Sequence, residues 1–261
     1  MTKEQAEKLR RILSDPVQFQ IRILGITPHA KQFEALKSEA KHRIICAGRR
    51  SGKSKMIAGE ILRGMYFFYD KQILIAPTYK QSKIIYNEIL IRLLESKRSN
   101  DILRASEHPY PQIMLLNKNY VDFASADNPD SLRGFDYGRL FIDEAGLITE
   151  KGWHAIRPLA FDTGAPTWKT GTPGGKNEFY YDYQRGLKGD NVDIASFHFS
   201  SFDNPFIDHE AVQAEVDEYG ESSVYVQTEI FGNFVEGVDL LFPAELVRGC
   251  VDEAYELYTV V

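Results

Sequence analysis

The strongest chemical signal in the sequence is a glycine-rich segment between an apolar run and a helical pattern. Its residues are Ala47, Gly48, Arg49, Arg50, Ser51, Gly52, Lys53 and Ser54. We call this segment the phosphate loop, because a Gly-rich turn between a buried strand and a helix wraps phosphate oxygens with its backbone N–H groups. The lysine reaches the β- and γ-phosphates, and the hydroxyl after it binds Mg²⁺. The segment therefore predicts a nucleotide-binding site.

The phosphate loop departs from the usual pattern at its first position, where Ala47 stands in place of a glycine. Gly48 follows directly and is expected to supply the conformational freedom. Arg49 and Arg50 are expected to place extra positive charge near the phosphates. The alternative is a chance Gly-Lys-Ser turn on the surface, which the flanking strand and helix patterns disfavour.

A second signal is a pair of adjacent carboxylates, Asp143 and Glu144, after the apolar run 140–142. At the end of a parallel strand, Asp143 would hold the water shell of a metal ion. Glu144 would face the γ-phosphate and polarise the attacking water. Adjacent strand residues point to opposite faces, which argues against a glycosidase pair. A strand that ends in a solvated acidic turn is the alternative, and the upstream phosphate loop disfavours it.

Two weaker signals belong to the same predicted site. Thr170, Gly171 and Thr172 follow a predicted strand, where a polar tip would lie between the phosphate loop and the acidic pair and sense the γ-phosphate. Gln32 lies upstream of the loop, and its amide can pair with the edge of adenine. Each signal alone is also compatible with an ordinary turn or a solvated side chain.

Three arginines are candidates for stabilising charge at the γ-phosphate. Arg133 lies ten residues before the acidic pair. Arg98 and Arg104 lie in a polar, irregular segment and would act across a subunit boundary. Taken singly, an arginine in such a position is more often a solvated surface charge.

The predicted elements alternate between strands and helices. Strands are predicted at 43–47, 73–76, 138–142, 166–170 and 192–199, with a hairpin at 112–116 and 119–124. Helices are predicted at 3–13, 28–41, 53–69, 80–97, 150–160, from 177 onward, 208–218 and 221–231. The segments 14–27 and 98–111 are expected to lack regular structure. This alternation predicts an α/β fold with a mostly parallel sheet and helices on both faces.

Length and composition limit the function classes. The chain has 261 residues, of which 43% are hydrophobic, and a net charge of −6; this fits one globular α/β domain with a small appended part. The first hundred residues carry 20 Lys and Arg against 9 Asp and Glu, so the acidic total conceals a basic region. There is no apolar run for a membrane span, no signal core, and two cysteines cannot form a disulfide framework or a zinc site. An intracellular protein is the simplest interpretation.

Together, these motifs resemble the ATPase domain of tailed-phage large terminase subunits, the motors that package viral DNA. The resemblance covers roughly residues 28–240 and rests on the order and spacing of several segments. These are the phosphate loop, 75–79, 131–134, 143–144, 170–172, 201–205 and 227–234. The resemblance implies a RecA-like P-loop NTPase of the additional-strand, catalytic-glutamate (ASCE) class, with a small C-terminal lid subdomain.

The resemblance also implies cofactors and residue roles. The cofactors would be ATP and Mg²⁺. Gln32 would contact adenine, and Lys53 and Glu144 would be catalytic. Residues 170–172 would couple hydrolysis to movement, and Arg133 would lie close to the nucleotide. One of the two arginines in the irregular segment would be the finger donated by a neighbouring subunit.

The resemblance further divides the chain into a helical arm at 1–27, an ATPase core at 28–195, and a lid subdomain with a linker at 196–261. The linker would lead to a nuclease domain that these residues do not contain, so we expect no nuclease activity from them. Expected partners are double-stranded DNA, further copies in a ring, the portal protein and the small terminase subunit, in the host cytoplasm and without a membrane. Two alternatives stay open: a helicase-like ATPase that remodels nucleic acids, and a nucleotide-gated assembly module with little turnover.

Overall fold

The computed structural model describes residues 2–69, 71–108, 111–128, 132, 136–160 and 164–235. The strands are β1 (His42–Ala47), β2 (Lys71–Ala76), β3 (Ile102–Ser106), β4 (Gln112–Leu115), β5 (Tyr120–Ser125), β6 (Arg139–Ile142), β7 (Thr167–Gly171) and β8 (Ile194–Phe199). The α-helices are α1 (Lys3–Ser14), α2 (Pro16–Leu24), α3 (Ala30–Lys37), α4 (Lys53–Phe67), α5 (Tyr79–Glu95), α6 (Glu150–Ile156), α7 (Glu178–Lys188) and α8 (His209–Tyr219). Among the described helices, none is both long and apolar enough to cross a bilayer.

The described strands form one sheet in the order β3-β4-β5-β2-β6-β7-β1-β8. From β5 to β8 in this order, neighbouring strands are parallel, whereas β4 pairs antiparallel with both β3 and β5. Because parallel strands end at the same edge, the carboxyl ends of β1, β6, β7 and β8 lie along one edge of the sheet. The predicted α/β fold with a mostly parallel sheet is confirmed.

Each face of the sheet has its own apolar core, since successive side chains of a strand point to opposite faces. Ile45 of β1 packs in a core with α2, α4 and α5, whereas its neighbour Ile44 packs in a core with α6 and α7. Phe141 and Leu140 of β6 divide between the two cores in the same way. Helices on both faces therefore fix the strands, and with them the residues that follow the strand ends.

Helix α2 lies where the sequence predicts only connecting structure. Asp15 caps its start, because its carboxylate accepts from the N–H groups of Val17 at 3.1 Å and Gln18 at 3.0 Å. Gly25, with φ 67°, ends the helix. The inner side of α2 packs in the core shared with α4 and α5. The prediction was wrong because these start and stop signals enclose too few residues for a clear helical period.

Other differences concern β3 and the last helix. β3 lies in the segment 98–111, and three of its five residues are exposed, so it lacks the alternating pattern that marks a strand in a sequence. β8 lies within the strand predicted at 192–199 and pairs with β1 along its whole length. The π-helical turn Val226–Ile230 replaces much of the helix predicted at 221–231.

Candidate nucleotide-binding site

Three adjacent strands bring the predicted site segments together. β6, β7 and β1 are neighbours in the sheet. Cys46 of β1 lies opposite Gly171 of β7, and Ile142 of β6 lies opposite Lys169 of β7. The phosphate loop, the acidic pair 143–144 and the segment 170–172 therefore meet at the same edge of the sheet.

The phosphate loop is closed by hydrogen bonds between its own residues. Gly52, which directly precedes α4, has φ 88°, a conformation that favours glycine. Ser51 Oγ donates to the carbonyl of Gly48 at 2.8 Å. The buried Lys53 ammonium donates to the carbonyls of Ala47 at 2.9 Å and Gly48 at 3.2 Å. A phosphate at the lysine would therefore take the place of these two carbonyls.

A cavity of about 610 Å³ lies beside the phosphate loop. Its lining includes the loop from Arg49 to Ser54 and the acid Glu144. Further walls are formed by Gln32 of α3 and by Asn204 and Phe206, which follow β8. The volume is typical of small-molecule sites. The structure thus brings the phosphate loop, Gln32 and Glu144 together around one cavity.

Asp143 is buried at the end of β6 and accepts a hydrogen bond from Thr170 Oγ1 at 2.6 Å. Burial raises the pKa of this carboxyl, and the Thr170 hydroxyl and the Lys53 ammonium oppose that rise. Thr170 is itself fully buried. Its hydroxyl therefore joins the end of β7 directly to the acid at the end of β6.

Glu144 has a left-handed backbone conformation, with φ 49°. Non-glycine residues adopt this region mainly where their surroundings enforce it. β7 packs closely here, since a Cβ on Gly171 would lie 3.0 Å from the nitrogen of Ala145. Burial and the charge of Asp143 raise the pKa of Glu144, while the N–H of Thr172 hydrogen-bonds to its carboxylate. The carboxylate at the cavity is therefore a stronger base than an ordinary glutamate.

The donors at the cavity fit a magnesium ion. Mg²⁺ prefers oxygen ligands and is usually bound by one or two protein oxygens together with waters and substrate phosphates. Ser54 lines the cavity, and the Asp143 carboxylate lies near enough to Lys53 for their charges to interact. Within the described ranges, no group of three His, Cys, Asp or Glu side chains is arranged to hold a metal ion. The assignment of Ser54 and Asp143 as the residues that would hold Mg²⁺ stays a prediction.

The outer side of the phosphate loop is held by two segments from far along the chain. The N–H of Gly48 donates to the carbonyl of Phe199 at 2.9 Å, and the N–H of Arg49 donates to the carbonyl of Glu229 at 2.6 Å. The Arg49 guanidinium also donates to the Glu229 carboxylate at 2.5 Å. The positive charge of Arg49, which the sequence predicts to lie near the phosphates, is therefore paired with Glu229 of the π-helical turn.

Sequence reasoning missed several residues that contact the loop. Ser201 Oγ donates to the carbonyl of Arg49 at 2.7 Å, and Asn204 Nδ2 donates to the carbonyl of Arg50 at 2.6 Å. Ser201, Asn204 and Glu229 lie in 201–205 and 227–234, segments that carry the family resemblance but contain no recognisable chemical motif. The resemblance was therefore the one signal that pointed to them.

Comparison with known proteins assigns the chain to a family. The family described as "Terminase large subunit, T4likevirus-type, N-terminal" matches residues 44–247. The chain belongs to this family. The terminase large subunit of Thermus virus P23-45 is 30% identical over 211 residues, covering 69% of this chain and 44% of the relative. That of Escherichia phage T5 is 29% identical over 196 residues, covering 70% of this chain and 43% of the relative. The chain thus spans less than half the length of these relatives.

Solved structures of large terminases share the fold. The ATPase domain of the Thermus phage P74-26 large terminase has a TM-score of 0.72 and 25% identity, covering 85% of this chain and 99% of its own. The large terminase of a thermophilic bacteriophage, solved in complex with ADP, has a TM-score of 0.61 and 20% identity, covering 79% of this chain and 53% of its own. The predicted RecA-like P-loop fold is confirmed.

Gln32, the predicted adenine contact of this terminase chain, is bonded to the phosphate loop. Its Nε2 donates to the carbonyl of Gly52 at 3.0 Å, and its Oε1 accepts from the N–H of His29 at 3.1 Å. His29 Nε2 lies 2.9 Å from the carbonyl of Ser51, so this histidine, to which the sequence analysis gives no role, also borders the loop. The Gln32 amide keeps one N–H and one lone pair for a base, and the adenine contact stays a prediction.

The predicted arginine fingers lie far from the phosphate loop. Arg98 precedes β3 and pairs with Asp101 at 3.3 Å, and Arg104 lies within β3. Five strands separate β3 from β1, a distance of roughly 30 Å. Neither side chain therefore reaches the loop of its own chain, and a role in a neighbouring subunit stays a prediction. Arg133 lies outside the described residues.

Gly48 allows a close approach between the phosphate loop and the π-helical turn. A Cβ on Gly48 would lie 2.2 Å from the carbonyl oxygen of Ile230. We therefore expect Gly48→Ala to displace residues 226–230 and to lower the free energy of unfolding by about 1–3 kcal/mol, the usual cost of overpacking. ATP binding should weaken as well, because the same turn holds the backbone of Arg49.

The measurements are denaturant unfolding and an ATP binding isotherm. Gly189→Ala is the control: Gly189 has a positive φ of 69°, which strains any side chain there, but a Cβ would meet nothing within 4 Å. The control should lose some stability and keep its ATP affinity. Unchanged ATP affinity in Gly48→Ala would contradict the role assigned to this contact.

Proposed function

We propose that this chain is the motor domain of a phage terminase, which couples Mg²⁺-dependent ATP hydrolysis to the translocation of double-stranded DNA into a procapsid. The observation that carries the proposal is the convergence of Lys53, Ser54 and Glu144 on one cavity, with the buried Asp143 beside them. Phosphoryl transfer to water needs these parts: a phosphate cradle, metal ligands and a group that positions the water. Membership of the terminase large-subunit family supports the same function.

Each of these residues has a defined task in the proposal. Lys53 exchanges its bonds to the loop carbonyls for phosphate oxygens, where its charge offsets the charge that develops in the transition state. Ser54 and Asp143 hold Mg²⁺, which when bound supplies Lewis-acid stabilisation to the phosphate oxygens. Glu144 accepts a hydrogen bond from the attacking water, and its raised pKa suits a general base.

The proposed link from hydrolysis to movement is the turn after β7. Thr170 bonds to one acid and Thr172 bonds to the other, so a change at either acid is transmitted to residues 170–172. Asn177, which caps α7, donates to the carbonyls of Gly146 and Gly174 at 2.7 Å each. The turns after β6 and β7 are thereby joined to the start of α7, and we propose that a change at the acids reaches this helix.

The proposal includes partners in the host cytoplasm: double-stranded DNA, further copies of the chain in a ring, the portal protein and the small terminase subunit. Family membership supports these partners. The basic excess of the first hundred residues supports contact with a phosphate backbone. In such a ring Arg98 or Arg104 would act on the nucleotide of a neighbouring copy, and Arg133 on the nucleotide of its own chain.

The test measures ATP affinity and ATP turnover on one preparation, with Mg²⁺ and with excess EDTA. We expect turnover to disappear in EDTA, because the phosphate oxygens then lose the metal that Ser54 and Asp143 hold. Turnover should be slow in dilute protein and rise with concentration, since an arginine from a neighbouring copy contributes about 10³-fold or more. Tight ATP binding without turnover at any concentration would support the assembly module instead, and turnover that survives EDTA would contradict metal dependence.

A further inference from the structure

An aromatic side chain stands exposed at the rim of the cavity. Phe206 lines the cavity together with the phosphate loop, yet 71% of its surface is accessible. Covering a water-exposed phenyl ring with a flat apolar surface lowers the free energy, because apolar area is removed from water. Its position beside a phosphate site makes the ring a candidate contact for the part of a nucleotide that extends away from the phosphates.

The backbone at Phe206 is fixed relative to the phosphate loop. The Asn204 side chain is buried and uses both ends of its amide, because its Nδ2 donates to the carbonyl of Arg50 at 2.6 Å and its Oδ1 accepts from the N–H of Phe206 at 3.1 Å. One side chain thus links the phosphate loop to the aromatic residue, and Pro205 between them restricts the backbone further.

The lining of the cavity includes both apolar and polar side chains. Ile207, the next residue after Phe206, adds apolar surface, whereas Thr27 and Gln32 contribute polar groups. A nucleobase has an apolar face and a polar edge, so a lining with both kinds of group matches it. We infer that the ring of Phe206 stacks on the base of the nucleotide that the proposed function requires. The inference rests on that function and assigns it a further binding residue.

Stacking contributes affinity without reading the identity of the base, because every base offers a π-face. Identity is read at the polar edge, by groups such as the free N–H of Gln32. Phe206 therefore adds to the affinity for ATP and GTP by a similar factor. An inorganic triphosphate, which has no base, gains nothing from the ring.

The experiment compares dissociation constants for ATP and for inorganic tripolyphosphate, both with Mg²⁺. We expect Phe206→Ala to raise the value for ATP by roughly 5- to 100-fold, the usual range for one base–aromatic stack, and to leave tripolyphosphate unchanged. Phe206→Trp should keep the affinity for ATP. Tyr181→Ala is the matched control, since Tyr181 is an aromatic residue on α7 that is 57% exposed and lies outside the cavity lining; both affinities should stay unchanged.

Lys53→Ala separates this inference from the proposed function. If Lys53→Ala loses ATP and Phe206→Ala does not, the stacking role is wrong and the phosphate site stands. If Phe206→Ala loses ATP and tripolyphosphate equally, the ring supports the loop instead of the base, which also overturns the inference. If Phe206→Ala keeps its ATP affinity but loses self-association, the ring contacts another protein copy and the inference is overturned. If Lys53→Ala keeps full affinity for both ligands, the proposed function itself fails.

Discussion

Glu144→Gln should lower ATP turnover by roughly 10²- to 10⁴-fold, the usual contribution of a general base, and leave ATP affinity within a few-fold of the parent chain. Glutamine keeps the size of the side chain, so the left-handed turn at Glu144 and its packing against Gly171 stay in place. The change removes the negative charge next to Asp143. Binding of an anionic nucleotide therefore should not suffer, whereas the proposed acceptor of the water proton is lost.

Lys53→Ala provides the contrast, because it removes the charge that the proposed function places at the phosphates and should weaken both ATP binding and turnover. The measurements are steady-state hydrolysis and equilibrium ATP binding at the same Mg²⁺ concentration. Turnover in the parent chain should fall as the pH drops through the raised pKa of Glu144, above the value of an ordinary glutamate. Hydrolysis by Glu144→Gln at the parent rate would rule out Glu144 as the base.

The second large effect concerns a buried ion network beneath the site. Glu60 of α4 and Arg139 of β6 are 1% and 2% exposed, and Arg139 Nη2 donates to Glu60 Oε1 at 2.7 Å. Arg63 donates to the same carboxylate. The Arg139 guanidinium also lies 4.8 Å from the centre of the Phe141 ring and 5.3 Å from that of Trp168. The network ties the helix that starts at the phosphate loop to the strand that ends at the acids.

Glu60→Ala should lower the free energy of unfolding by about 3–5 kcal/mol, because it leaves the buried Arg139 charge without a counter-ion. Glu34→Ala is the control: its pair with Lys31 is solvent-exposed, so its loss should cost less than about 1 kcal/mol. The double variant Glu60→Leu with Arg139→Met should recover part of the loss, since it removes the fully buried Arg139 charge and leaves only the partly exposed Arg63 without its carboxylate partner. Denaturant unfolding measures all three, and a loss in Glu60→Ala as small as in the control would contradict this account.

The same network predicts a pH dependence of stability. Burial alone would raise the pKa of Glu60, but the charges of Arg63 and Arg139 outweigh it and hold the pKa at about 2, against 4.5 for an ordinary glutamate. Because the pKa of Glu60 is lowered in the folded state, its contribution to stability is fully present above about pH 4.5 and is lost as the pH falls toward about 2. The free energy of unfolding should therefore fall more between about pH 7 and about pH 3 in the parent chain than in Glu60→Ala. Denaturant unfolding at the two pH values measures both.

Short-range patterns were sufficient for the elements that carry the chemistry. The strand, glycine-rich turn and helix around the phosphate loop are adjacent in the chain, and β1 and α4 lie within two residues of their predicted bounds. The run before Asp143 and Glu144 is β6, as predicted. These elements depend on glycine, on periodic apolar residues and on a lysine at the helix start. Each of these features shapes only the adjacent stretch of chain, so the sequence pattern reveals it directly.

The tertiary structure alone supplied the strand order and the outer wall of the site. The strand order makes β7 the neighbour of both β6 and β1, which sets Thr170 against Asp143. Glu229 meets Arg49 across 180 residues of chain, and Asn204 meets Arg50 across 154. Such contacts form only after the sheet has assembled and the intervening loops have closed. Serine, asparagine and glutamate are common in surface turns, so no local pattern distinguishes the residues that hold the phosphate loop from those that face water.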